Sequence, residues 1–95
     1  MIRVAAPLQI WTGDDGSSHY LVLGEQASNE IKAHSILNPR GFGSVRVEAA
    51  ISQVRWNTSV FPRKDGGYFL PVKMAVCRQA GIAPGDLVTV EIGLL

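Results

Sequence analysis

Within six residues, Asp14, Asp15, Ser17, Ser18 and His19 supply carboxylates, hydroxyls and an imidazole, the group types of a nucleophilic triad. Such groups do chemistry only when rigid elements make them converge. Gly13 precedes this stretch and Gly16 falls within it, and Asp, Ser and Gly are the residues from which turns are built. We therefore read it as a turn. A zinc site would need Cys, His or carboxylate ligands at helical or knuckle spacing, but His19, His34 and Cys77 lie far apart in the chain. No metal and no cofactor is expected. Cys77 falls among Val72, Ala75, Val76 and Ala80 and reads as a small buried apolar residue. Gly41-Phe42-Gly43 lacks the third glycine of a dinucleotide loop and opens a strand rather than a helix, so it reads as a close backbone approach or a bulge.

Lys73 stands apart. It falls in the first turn of an expected helix, where free N–H groups and the macrodipole favour anions over cations. A lysine beside helix N-terminal amides can make an anion site. Arg63 and Lys64 come just before it, across an Asp65-Gly66 turn, while Arg46 and Arg55 lie on polar faces of strands. The expectation is a cationic pocket of Lys73, Arg46, Arg55, Arg63 and Lys64 for a carboxylate or phosphate. The bland alternative is a solvated lysine at a cost of about a few tenths of a kcal/mol.

The elements that must position these groups are short strands. Val4 to Trp11 reads as the first, with Pro7 demanding an edge or a bulge, and Ser18 to Leu23 as the second. Gly24 to Ser35 reads as a helix with Ala27 and Ile31 on one face, and Asn38 to Gly41 as a loop. Val45, Val47, Ala49 and Ile51 alternate with Ser44, Arg46, Glu48 and Ala50, and Val54, Trp56, Thr58 and Val60 with Gln53, Arg55, Asn57 and Ser59. Only Ser52-Gln53 separates these runs, which predicts an antiparallel hairpin, and Glu48 is placed to pair with Arg55 across it. Asp65-Gly66 marks a second hairpin, returning through Tyr68-Phe69-Leu70. Pro71 at the first helical position and Gly81 at the end delimit a helix. Ala83-Pro84-Gly85-Asp86 fits a type II turn into a last strand, Val88 to Ile92. Six strands and two short helices predict a mainly β fold, a small six-stranded antiparallel barrel, with residues 1–95 as a single domain.

Ninety-five residues bury only one modest core. Nine Lys+Arg against eight Asp+Glu give a net charge of +1, which produces no strong field for nucleic acid or acidic lipid. Residues 1–39 carry two positive and four negative side chains, and residues 40–95 seven and four. With one cysteine, no secretory leader and no run of about 18 apolar residues, a soluble cytoplasmic protein is expected.

RGFGSVRVEAAI, RWNTSVFP, KDGGYFLPVK and GIAPGDLVTVEI, spanning residues about 40 to 93, resemble the bacterial domain-of-unknown-function family 1905 (DUF 1905). That resemblance implies a small β-barrel with two helices. It implies no activity and transfers no catalytic residue. Leu70 to Ile92 is also similar to the half-barrel segment of AbrB-like regulators and antitoxins, which implies DNA binding by swapped-hairpin dimers. Phosphate contacts dominate DNA affinity, and the near-neutral charge argues against that partner. The expected function is a non-catalytic module binding a small anionic ligand or a protein partner. A DNA-binding regulator is the alternative and an enzyme the third reading. The number of chains that complete the barrel is left open.

Overall fold

The computed structural model describes residues 1–14, 16–37 and 43–95. Asp15 of the turn, the expected loop Asn38 to Gly41 and the first two residues of Gly41-Phe42-Gly43 lie outside these. The elements in chain order are β1 (Ile2–Pro7), β2 (Gln9–Gly13), β3 (Gly16–Val22), α1 (Gly24–Leu37), β4 (Val45–Ile51), β5 (Val54–Pro62), β6 (Tyr68–Val72), α2 (Met74–Ala80) and β7 (Leu87–Leu94). The strands form one antiparallel, curled half-barrel in the order β1-β7-β4-β5-β6-β3-β2.

Among the described residues the sheet has seven strands where six were expected, because Val4 to Trp11 is two strands. The chain turns at Leu8, so β1 pairs only with β7 and β2 only with β3. The two edges of the sheet are thus consecutive pieces of chain joined through one residue. Leu8 is 2% exposed. Its amide donates to Asp86 O at 2.9 Å, and Gly85 N donates to its carbonyl at 2.8 Å. The turn before β7 thereby satisfies the backbone that leaves the ladder. That turn has the expected type II form, with Asp86 N donating to Ala83 O at 3.0 Å and Gly85 at φ 94°. Pro7 ends β1 on the edge, where a missing N–H costs no second ladder bond.

Both expected hairpins form. Ile51 pairs with Val54 across Ser52-Gln53, and Phe61 and Pro62 pair with Phe69 and Tyr68 across the 63–67 loop. The second helix begins later than its proline suggested. Pro71 belongs to β6, opposite Tyr20, and Lys73 is the N-cap residue of a seven-residue helix. The reason is local: β5 pairs with β6 only at Phe69 and Tyr68, so Pro71 has a ladder partner on one side alone. The helix closes as expected on Gly81, at φ 68° and ψ 35°, with its N–H bonded to Arg78 O.

The concave side is filled. Val47, Ala49, Val60, Leu21, Leu70, Val90 and Ile92 are all 0% exposed, and Ile31 from α1 with Val76 and Cys77 from α2 joins the same core. Trp56 is half-buried and packs against that core. Ser28 of α1 is also buried, and its hydroxyl accepts the Tyr68 amide at 3.0 Å, tying helix to sheet at the start of β6. Among the described residues, no helix is long and apolar enough to cross a membrane.

Candidate functional site: an aromatic groove with a cationic end

Register brings an aromatic row together on the convex side of the sheet. Trp11 on β2 stands opposite Ser18 on β3, Tyr20 opposite Pro71, Val22 opposite Phe69, and Phe69 opposite Phe61 on β5. Side chains alternate along strands, so opposed residues share a face, the one turned away from Leu21 and Leu70. The rings touch. Tyr20 and Phe69 meet edge to face with centroids 6.0 Å apart at 75°, and Phe61 and Phe69 tilt at 31° with centroids 5.8 Å apart. The Tyr20 hydroxyl donates to Gln9 Oε1 at 3.3 Å, which fixes its ring. Trp11 is 60% exposed, yet its indole lies against Gly13, where an added Cβ would run into it.

These rings wall a groove of about 610 Å³ lined by Trp11, Ser18, Tyr20, Phe69, Pro62, Arg63, Lys64 and Asp65. The 63–67 loop forms its charged end. Arg63 N donates to Gly67 O at 2.7 Å and Gly66 N to Arg63 O at 3.1 Å, which folds the loop tightly. The Asp65 carboxylate accepts Gly67 N at 3.0 Å and Arg63 Nε at 3.4 Å. The Gly67 amide and the neighbouring guanidinium hold its pKa below the ordinary 3.8. Arg63 meets Asp65 through Nε, which leaves its terminal nitrogens without a hydrogen-bond acceptor among the described residues, and Lys64 has neither a hydrogen-bond nor an ion-pair partner among them.

The five expected cations separate. Arg63 and Lys64 share the groove. Lys73 lines a different, shallow hollow of about 190 Å³ with Ser17, Ser18, His19 and Met74. Arg46 is exposed on β4, and Arg55 on β5 reaches Glu48 at 3.7 Å, the cross-hairpin pair its spacing suggested. The pocket centred on Lys73 is therefore not assembled as expected. The polar stretch near Asp14 does not converge either: Ser17, Ser18 and His19 continue into β3, so Ser18 faces the groove while His19 turns inward and is 6% exposed. His34 bonds Leu95 O at 3.1 Å, far along the chain from both. Cys77 is on the buried side of α2, and that burial pushes its thiol up from 9.0. Among the described residues, no group of three or more His, Cys, Asp or Glu could hold a metal ion.

Sequence reasoning missed the rings. Their signal is present in Tyr20-Leu21-Val22-Leu23 and Tyr68-Phe69-Leu70-Pro71-Val72, where both alternate sets are apolar. Strands apolar on both faces have something to cover on each, and here one face is the core and the other the groove.

A family model described as "Domain of unknown function (DUF1905)" matches residues 5–92 of the chain. The chain belongs to the DUF1905 family. No curated protein matches it. The match takes in the end of β1, all of β2 and β3 and, but for its last residue, the stretch 40–93 that carried the resemblance, so every residue lining the aromatic groove lies inside the family's span. In this DUF1905 domain β7, the last strand of the segment that resembled swapped-hairpin regulators, pairs with β1 and β4 of the same chain.

Proposed function

We propose that this domain is a binding module whose site is the aromatic groove and whose ligand is a small amphiphilic anion. One observation carries the reading: apolar ring walls meet, at the same groove, the Lys64 ammonium and the terminal nitrogens of Arg63, whose Nε is paired with Asp65. Small-molecule sites are commonly concave, of about 300–1,000 Å³, mostly apolar, and oriented by a few polar groups. Each Å² of ring surface covered contributes about 25 cal/mol, and the cations select the sign of the ligand. Binding rather than catalysis is supported by how the polar groups are engaged. Ser18 faces away from His19, and the Asp65 carboxylate is held by Gly67 and Arg63.

Titration with 1-anilinonaphthalene-8-sulfonate tests this. Saturable fluorescence enhancement is expected, weakened about fivefold or more in an Arg63→Gln, Lys64→Gln double variant and weakened again by added salt, as exposed charges are screened. Saturable binding that ignores both the double variant and salt would sink the reading, as would no binding.

A further inference from the structure

Resting on that groove as the site, we infer that its ligand is a planar aromatic acid, an aromatic ring bearing a carboxylate or phosphate, rather than an acyl-chain acid. Both ligand types are amphiphilic anions, but the walls distinguish them. An acyl chain gains most from an enclosed tube that removes water from all its sides. The interior that could supply a tube is solid, with Leu21, Leu70, Val60 and Val90 at 0% exposure. The groove lies instead on the outer face of β2, β3 and β6, where a chain would remain wet along its length.

A ring meets a better surface. Tyr20 and Phe69 are already arranged edge to face, the geometry in which a further ring adds favourably at an open edge or face. The two fixed points of the wall are independent of each other: Gln9 holds the Tyr20 phenol, and Gly13 leaves the room that the Trp11 indole occupies beside the strand. Little wall reorganisation therefore accompanies binding, which favours a rigid, flat ligand over a flexible one. At the loop end, the free edge of the Arg63 guanidinium presents paired donors and Lys64 a point charge. Together they suit one anionic group attached to the ring. Ser18 adds a hydroxyl along the wall, available to a ring heteroatom.

Two carboxylates of equal carbon number, indole-3-acetate and decanoate, separate the cases by isothermal titration against the full chain. Indole-3-acetate is expected to bind at least about tenfold more tightly. That ratio is expected to fall to within about twofold in Trp11→Leu and Phe69→Leu, which keep apolar bulk but remove rings. Trp11 is on an exposed edge, so its variant reports on the site even where Phe69→Leu disturbs folding. Decanoate binding as tightly as indole-3-acetate, or a ratio unchanged in both variants, overturns the aromatic assignment while leaving an anion groove intact. Loss of the anilinonaphthalene response would instead remove the groove itself.

Discussion

Asp65 lines the candidate groove and also shapes it. Its carboxylate holds the Gly67 amide and the Arg63 Nε, so protonation loosens the loop and frees the arginine. Because its folded pKa is lowered below 3.8, its contribution to stability is present above that value and is lost as pH falls through the folded value. Urea unfolding of wild type and Asp65→Asn across the acid range is expected to show a constant difference above about pH 5 that shrinks below about pH 4. A difference that grows on acidification would contradict this. Lys73 illustrates the opposite lesson. Its poor fit at a helix start was legible, but what the position lacks is a cap: Lys73 makes no side-chain cap bond, and no acidic residue lies in the first turn. Lys73→Ser is expected to raise stability by about 0.5–1 kcal/mol, read from the shift in urea midpoint. A marked loss would show that the ammonium has a structural partner.

At the scale of elements, the strands were legible where one face is polar and obscure where neither is. Val45 to Ile51 and Val54 to Val60 alternate cleanly, and their hairpin formed in the register the two-residue gap required. β6 and the Tyr20–Val22 end of β3 are apolar on both faces, so periodicity alone could not show which rings would face outward. Pro71 was ambiguous for a physical reason: its fixed φ serves a helix start and a one-sided strand equally well. The break at Leu8 had no local mark, since Leu8 is an ordinary apolar residue between two β-forming runs. Its role comes from the distant Gly85-Asp86 turn that takes up its backbone bonds. Leu8→Ala is expected to cost about 2–5 kcal/mol by denaturant unfolding, at the large-to-small end for a core position. A cost under about 1 kcal/mol would mean that the corner refills or that backbone bonds alone hold it.

For the molecule as a whole, fold class and topology of the C-terminal half followed from turn chemistry and alternation, which are local. The site did not, because it is assembled from β2, β3, β6 and the 63–67 loop, and cross-strand register places its rings side by side. The five cations named from sequence divide along the same line. Arg63 and Lys64 are neighbours in the chain and remain neighbours in the groove, whereas Lys73, Arg46 and Arg55 needed a fold to decide where they stand.

The pairing of β1 with β7 has a kinetic consequence. Ile2 lies opposite Ile92, so β1 can acquire its neighbour β7 only after all the intervening chain has been synthesised. Contacts this distant in sequence raise the contact order, and folding on the millisecond-to-second scale is expected in stopped-flow refolding. During synthesis, β1 waits with an unpaired edge while the β4–β5 hairpin forms behind it. Destabilising substitutions in β1, such as Ile2→Ala, are therefore expected to speed unfolding with little effect on the folding rate.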